Sequence, residues 1–256
     1  MGTVGEQGQP AWGDYDNDGY LDLFMSRGQN SDVPSQLWRN NGDGTFTAIT
    51  LGSLVNDLGK SAGAAWGDYD NDGFLDLFVS RSRGEANVLY HNNGNTNRWL
   101  TVKLVGTRSN RAAIGAKVHA QARINGKTFW QLREVPGGNR CQNDLRPHFG
   151  FGDATNVTTL QVEWPSGTTE PFADVAPNQI LMIVEPSLHG AFGADGKFHL
   201  AVYGNTNKNY TVEWSSDLPG DWTTLATVPG QGPVPVEVVD ETVPAVQQRF
   251  YRLRLE

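Results

Sequence analysis

The chain has 256 residues, among them 30 Gly, 13 Pro and 8 Trp, and its formal net charge at pH 7 is −8. That length accommodates two or more domains, and the many turn-forming residues are typical of short strands joined by tight turns. Lysine and arginine are not clustered, which argues against a nucleic-acid surface, and the sequence has no apolar run long enough to predict membrane insertion. We therefore expect an all-β protein that partners neither nucleic acid nor the bilayer interior.

A sixteen-residue segment occurs twice near the N-terminus, at 12–27 and at 66–81, and the two copies differ at only two positions. Each copy contains the pattern Asp-x-Asp-x-Asp-Gly-x-x-Asp. Carboxylates packed this closely repel one another unless a cation lies among them. Calcium takes six to eight oxygen ligands from carboxylates, carbonyl groups and water, so the pattern predicts two Ca²⁺ sites. The expected ligands are the side chains of Asp14, Asp16, Asp18 and Asp22 with the Tyr20 carbonyl, and those of Asp68, Asp70, Asp72 and Asp76 with the Phe74 carbonyl.

These loops differ from the helical EF-hand type. An EF-hand has Glu at loop position 12, where this chain has Met25 or Val79. The residues after each loop alternate like a strand, so each loop is predicted to connect two strands. Gly19 and Gly73 are expected to allow the sharp turn. Two metal-free Asp-Asn-Gly turns remain the alternative interpretation.

The repeated segments, with the flanking stretches 36–46 and 88–94, resemble FG-GAP or VCBS repeats. The resemblance covers roughly residues 1–95 and implies two calcium-binding blades of a β-propeller. A closed propeller needs about four to eight blades, so two cannot close a ring. The repeats could therefore be the end of a longer parent chain, pack on the next domain, or self-associate. Met1 runs directly into the first repeat and no signal peptide precedes it, which favours a longer parent.

Residues 97–186 form the second predicted domain, after a first domain of 1–96. Alternating apolar residues predict strands, and Asn125-Gly126 predicts a type I′ hairpin turn. The stretches 97–100, 111–116, 145–152, 162–167 and 178–179 resemble the ASPIC/UnbV domain, which often follows VCBS repeats in bacterial surface proteins. That resemblance implies architecture rather than a reaction. The chain departs from the family pattern at 141–144, Cys-Gln-Asn-Asp.

Residues 187–256 are predicted to be a third, small β module. Alternation in 198–202, 210–214 and 250–255 predicts strands of a sandwich. This segment resembles immunoglobulin-like or fibronectin-like modules. The fold prediction is therefore all-β, with two propeller-type blades followed by β-sandwich-like domains.

Candidate catalytic residues are few. Asp144 and His148 lie on one face of a predicted strand with Arg146, and Cys141 could pair with His148. The structural alternative is an Asp144–Arg146 ion pair, a hydrogen-bonded His148 and an inert Cys141. Glu134 with Glu163 could be the two carboxylates of a glycosidase. The catalytic residues are otherwise unknown.

These patterns favour an extracellular or cell-surface bacterial protein that is stabilised by calcium and binds a glycan or a surface partner. Extracellular calcium fills such sites, and exposed aromatic side chains could stack on sugars. The alternative is an extracellular polysaccharide-active hydrolase or lyase that uses the same modules as its scaffold. The single cysteine excludes an intrachain disulfide.

Overall fold

The computed structural model describes residues 9–28, 33–137, 144–242 and 248–255. Within these ranges the chain forms twenty strands and one four-residue helix, which confirms the all-β prediction. Cys141, with its predicted inert role, lies outside the described residues. No helix in the described ranges is both long and apolar enough to cross a membrane.

The first repeat folds as a four-stranded antiparallel meander in the order β1-β2-β3-β4. Its strands are β1 Pro10–Gly13, β2 Asp22–Met25, β3 Gln36–Asn40 and β4 Phe46–Ile49. The first Asp-rich loop joins β1 to β2, with Gly13 opposite Asp22. The prediction that this loop connects two strands is therefore confirmed.

The second repeat follows the short helix α1 Ser53–Asn56 and forms a three-stranded sheet in the order β5-β6-β7. Its strands are β5 Ser61–Gly67, β6 Asp76–Arg81 and β7 Val88–Tyr90. Gly67 pairs with Asp76, as Gly13 pairs with Asp22, so both copies have the same register. The two repeats share one apolar cluster that includes Phe24, Leu37, Trp66, Leu77 and Val79.

The middle segment supplies two further sheets. Their strands are β8 Arg98–Val105, β9 Lys117–Ile124, β10 Lys127–Glu134, β11 His148–Gly152, β12 Val157–Glu163, β13 Thr169–Val175 and β14 Gln179–Val184. The sheet orders are β10-β9-β12-β13 and β11-β8-β14. Asn125 and Gly126 both have positive φ between paired Ile124 and Lys127, which confirms the predicted hairpin turn.

The C-terminal segment forms two three-stranded antiparallel sheets, β15-β16-β19 and β18-β17-β20. The strands are β15 Ser187–Phe192, β16 Phe198–Gly204, β17 Asn209–Ser215, β18 Thr223–Pro229, β19 Gly232–Asp240 and β20 Phe250–Leu255. Alternate residues of both sheets, such as Leu200, Val202, Tyr210 and Val212, bury one common core. This arrangement is sandwich-like, as predicted.

The chain divides into two compact units. The first comprises the chain up to Val102 with Gly115–Glu163 and Thr169–Leu181; the second comprises Lys103–Ile114, Trp164–Thr168 and the chain from Met182 onward. Both repeats and most of the middle segment thus belong to the first unit. The domain boundaries 1–96, 97–186 and 187–256 remain predictions.

Candidate metal centres

Both Asp-rich loops turn through the left-handed backbone region. Asn17 and Gly19 have φ of 57° and 98°, and Asn71 and Gly73 have φ of 62° and 89°. Asn and Gly tolerate these angles better than other residues, since Asn bonds its own backbone and Gly lacks Cβ. The repeated Asp-Asn-Asp-Gly sequence therefore fits the backbone path that lets alternate carboxylates converge.

In the first loop the carboxylates of Asp14, Asp16 and Asp18 converge, with one oxygen of each lying within 4.8 Å of the others. Asp14 is 1 % exposed. Its Oδ1 accepts the Asp18 N–H at 3.0 Å, and its Oδ2 accepts the Gly19 N–H at 2.9 Å. Backbone donors thus hold the innermost carboxylate in place and leave the cluster an all-oxygen environment.

Arg39 completes the first cluster, and the sequence pattern did not indicate it. Its Nε lies 2.7 Å from Asp16 Oδ2 and its Nη2 lies 3.0 Å from Asp18 Oδ2. Arg39 is on β3, the strand after the loop hairpin. The guanidinium supplies one positive charge to a cluster of three carboxylates.

In the second loop two overlapping clusters form, one of Asp68, Asp70 and Asp76 and one of Asp70, Asp72 and His91. His91 Nδ1 lies 3.2 Å from Asp76 Oδ1 and 3.6 Å from Asp70 Oδ2. His91 occupies the place of Arg39 in the repeated strand, so aligning the two repeats could have indicated both residues. Asp70 and Asp72 are exposed, which makes this the more open loop.

The last aspartate of each loop also accepts two backbone hydrogen bonds. Asp22 Oδ1 accepts the Asn40 N–H at 2.8 Å and its Oδ2 accepts the Tyr15 N–H at 3.2 Å. Asp76 makes the same two bonds, with Asn92 at 2.8 Å and Tyr69 at 3.2 Å. These buried carboxylates join the loop to the following strand. Asp76 also belongs to a cluster, whereas Asp22 lies outside the three-carboxylate group of the first loop.

Tyr20 and Phe74 place their rings against the turn that follows each repeat. A Cβ on Gly42 would lie 2.5 Å from the Tyr20 ring, and one on Gly94 would lie 2.8 Å from the Phe74 ring. Only glycine, with its positive φ, fits at both turns. The predicted role of the two carbonyl groups as ligands remains a prediction.

Without a cation these carboxylates are costly to ionise. Burial raises the pKa of Asp14 well above its usual range, and neighbouring Asp18 adds to the effect. Burial also raises the pKa values of Asp16 and Asp68, and it raises the pKa of Asp22 to about 7. A divalent cation would stabilise the ionised forms. The donor set, all oxygen in the first loop, therefore fits a hard cation such as calcium.

Strand β11 closes over the first loop. Gly150 N–H donates to Asp14 Oδ2 at 3.1 Å, and Gly152 N–H donates to the Asn17 carbonyl at 2.8 Å. His148 Nε2 lies 2.8 Å from Asn17 Oδ1, and its Nδ1 lies 3.0 Å from Thr101 Oγ1. The side chain of Asn17 also donates to the Gly73 carbonyl at 2.9 Å. One buried asparagine thus connects both loops to β11.

The candidate acid–base residues Asp144, Arg146 and His148 have structural partners. Arg146 pairs with Asp144 at 2.6 Å and donates to Asp68 O at 2.9 Å and Asn71 Oδ1 at 2.7 Å. Burial and the nearby Arg133 lower the pKa of His148 to about 3, so this imidazole is neutral. The predicted ion pair and hydrogen-bonded histidine are both present, and they brace the Asp-rich loops.

Glu134 and Glu163 lie on either side of Lys117, which is paired with both in the β10-β9-β12 sheet. Glu163 Oε1 forms an ion pair with His119 Nε2 at 3.1 Å, whereas Glu134 is exposed at the end of β10. Lys117 therefore lies between the two carboxylates in the sheet. The predicted glycosidase pair stays a prediction.

Two family models and several curated proteins are similar to parts of this chain. Residues 14–79 match the model of the FG-GAP-like repeat, and residues 106–189 match that of ASPIC and UnbV. The chain is also 30 % identical over 185 residues to cartilage acidic protein 1 of Mus musculus and of Homo sapiens. That alignment covers 68 % of this chain but only 28 % and 27 % of the two relatives. The chain therefore carries an FG-GAP-like repeat region that is followed by an ASPIC/UnbV domain.

Proposed function

We propose that the protein is an extracellular binding or adhesion protein whose first unit is stabilised by two calcium ions. The observation that carries this proposal is the convergence of carboxylates in both Asp-rich loops. In the first loop, Asp14, Asp16 and Asp18 would hold the ion with the carbonyl of Tyr20. Asp22 would contribute from the end of the loop.

Calcium fits these loops better than other cations. Zinc prefers nitrogen and sulfur ligands, and magnesium retains several waters in a strict octahedron. A cluster of several carboxylates with a nearby carbonyl group suits the larger, more adaptable calcium ion. In the second loop, Asp68, Asp70, Asp72, Asp76 and the Phe74 carbonyl would take the same roles, with His91 as a hydrogen-bonding neighbour.

Calcium in these loops would act on structure rather than on a reaction. Asp14 and Asn17 contact β11, and Arg146 contacts the backbone of the second loop. A cation that orders the loops therefore orders the surface between the repeats and the middle sheets. We infer that the calcium-bound protein presents a fixed surface to a glycan or a cell-surface protein, which is also the expectation from the sequence.

An extracellular location is supported by the FG-GAP-like repeat and by the relatives, which are named for cartilage, a tissue composed largely of extracellular matrix. Bacterial origin stays a prediction, and the relatives reported above are from animals. The chain spans less than a third of the length of these relatives.

Isothermal titration of metal-stripped protein with Ca²⁺ tests the proposal. We expect a stoichiometry of about two, which Asp16→Asn and Asp70→Asn should each reduce to about one. Asp221→Asn, which removes one exposed acid of the second unit, is the matched control and should retain both sites. Magnesium should bind more weakly. No calcium binding, or binding unchanged by both loop variants, would refute the proposed metal sites.

A further inference from the structure

A groove of about 370 Å³ lies in the first unit beside the first Asp-rich loop. We propose that it binds an acidic oligosaccharide, with Arg133 as the receptor for a sugar carboxylate and Trp12 as the stacking surface. The residues that define this Arg133 groove are Pro10, Trp12, Arg133, Glu134, Arg146 and Pro147. The proposal rests on the binding function proposed above and deepens it, and Arg133 and Trp12 lie outside the carboxylate clusters, so the groove can be tested separately from the metal sites.

Within the described residues, Arg133 donates its side-chain hydrogen bonds to neutral groups. Its Nε donates to the His148 carbonyl at 3.1 Å, its Nη1 to the Leu132 carbonyl at 3.0 Å and its Nη2 to Gln131 Oε1 at 3.1 Å. All three acceptors are neutral. Within the described ranges no carboxylate forms an ion pair with Arg133, although buried Asp14 interacts with it electrostatically.

The guanidinium is nevertheless fixed and ready for a ligand. It lies 5.2 Å from the centroid of the Phe149 ring, which holds the side chain from beneath. Three of the five N–H groups of Arg133 donate the hydrogen bonds described above. One N–H on each terminal nitrogen therefore remains to donate to a ligand. The acceptors of Arg133 in the described residues are neutral, and a carboxylate in the groove would add charge-assisted bonds to this partly buried guanidinium.

Trp12 provides the apolar wall. It is 54 % exposed, although its counterpart Trp66 in the second repeat is only 9 % exposed and belongs to the core. The Trp12 ring packs edge-on against Phe46, with centroids 6.3 Å apart, so its orientation is constrained while part of its surface stays free. A fixed, exposed indole at the edge of a polar groove suits the apolar face of a sugar ring.

Other charges in the groove leave Arg133 as the site for an anion. Asp144 is already paired with Arg146, and buried Asp14 belongs to the metal cluster. Glu134 is exposed and has no ion-pair partner within the described ranges. Glu134 can accept hydrogen bonds from sugar hydroxyl groups. It would repel a carboxylate that approached its own end of the groove.

A peptide is a poorer fit than a sugar because the strand edge beside the groove is not free. The Ala11 carbonyl on β1 accepts the Trp66 Nε1 hydrogen at 3.1 Å, and Pro10 has no N–H. The Trp66 ring also fills the space beside Gly13, where a Cβ would lie 2.7 Å from the ring. A peptide therefore cannot add as a further strand to β1.

The test uses the calcium-loaded chain and titrates it with an oligomer of galacturonic acid, with the same oligomer after methyl esterification, and with an oligo-glutamate peptide. We expect the acid to bind at least about tenfold more tightly than the ester, as a charge-assisted Arg–carboxylate contact implies. Equal binding of acid and ester, or tighter binding of the peptide, would overturn the proposal.

Variants assign the binding to this groove. Arg133→Gln should weaken binding of the acid about tenfold or more, Trp12→Ala should weaken both acid and ester, and Glu134→Gln should strengthen acid binding. Arg133→Lys keeps the positive charge and should retain part of the affinity for the acid. This variant replaces Arg133→Gln in the test if Arg133→Gln does not fold. Arg123→Gln, which removes an exposed arginine on β9, is the matched control and should bind like the unchanged protein.

The outcomes separate the two proposals. If calcium binds at both loops but acidic sugar binding is unaffected by Arg133→Gln and Arg133→Lys, the groove proposal is wrong and the metal sites stand. If acidic sugar binds through Arg133 but no calcium is taken up, the groove stands and the metal sites are wrong.

Discussion

Asn17 shows how much of the first unit depends on a single side chain. It is fully buried at positive φ, its amide oxygen faces His148, and its amide nitrogen donates to Gly73. The repeat-equivalent Asn71 has the same backbone conformation but is exposed and contacts Arg146. Asn17 and Asn71 should therefore contribute differently to the free energy of unfolding, because only Asn17 is buried against β11.

Replacing Asn17 tests this difference. Asn17→Ala leaves His148 and the Gly73 carbonyl without their partners in a buried site, and we expect a loss of about 2–4 kcal/mol in the free energy of unfolding. The matched variant Asn71→Ala places alanine at a similar positive φ but loses only an exposed side-chain contact, so it should cost at least about 1 kcal/mol less than Asn17→Ala. Urea unfolding followed by tryptophan fluorescence measures both values, and equal losses would contradict the assigned role of Asn17.

At the scale of elements, strand β11 connects the middle sheets to the first Asp-rich loop. All five of its residues are buried, since one side faces the middle sheets and the other faces the first Asp-rich loop. Phe149 and Phe151 stack with centroids 6.1 Å apart, while Gly150 and Gly152 let the backbone approach Asp14 and Asn17. A Cβ on Gly150 would lie 2.2 Å from Asp14 Oδ2.

The buried His148 on β11 predicts a dependence of stability on pH. Its folded pKa is lowered to about 3 from 6.5, so between these values the unfolded chain binds a proton that the folded chain does not. The contribution of His148 is therefore complete above pH 6.5 and is lost as pH falls toward 3. The expected slope is about 1.4 kcal/mol per pH unit below 6.5.

The matched variant for this prediction is His148→Gln, measured with urea at several pH values in millimolar calcium. Calcium is needed because the pKa of Asp22 is raised to about 7 without a cation, and that group contributes with the opposite sign. The unchanged protein should lose stability on acidification more steeply than the variant. Parallel curves for the two proteins would show that His148 is not buried in its neutral form.

At the scale of the whole molecule, calcium should raise thermal stability. An ion that binds the folded loops and hardly the unfolded chain adds about 2.7 kcal/mol per site at one hundred times its dissociation constant. For a chain of this size we expect each kcal/mol to raise Tm by roughly 2–4 °C. Calorimetric scans in EDTA and in millimolar calcium should therefore differ clearly, and superimposable scans would mean that the loops need no ion to fold.

The recurring aromatic residues of the two repeats differ in how deeply they are buried. Trp12 and Trp66 occupy equivalent positions in the two repeats, as do Trp38 and Tyr90. Trp66 is core, Trp38 and Tyr90 are half-buried, and Trp12 is mostly exposed. Burial depends on what packs against a blade, and the first and second repeats have different neighbours.

The sequence by itself determined the strand class, the two Asp-rich loops, the strand-to-strand path of each loop and the Asn125-Gly126 turn. These features depend on residues that lie within about ten positions of one another, so local spacing and backbone preference are enough to specify them. The tertiary structure alone decided that β11 covers the first loop and that Arg133 and Trp12 share a groove. Asn17 meets His148 across 131 positions of sequence, and such a contact exists only once the sheets have packed.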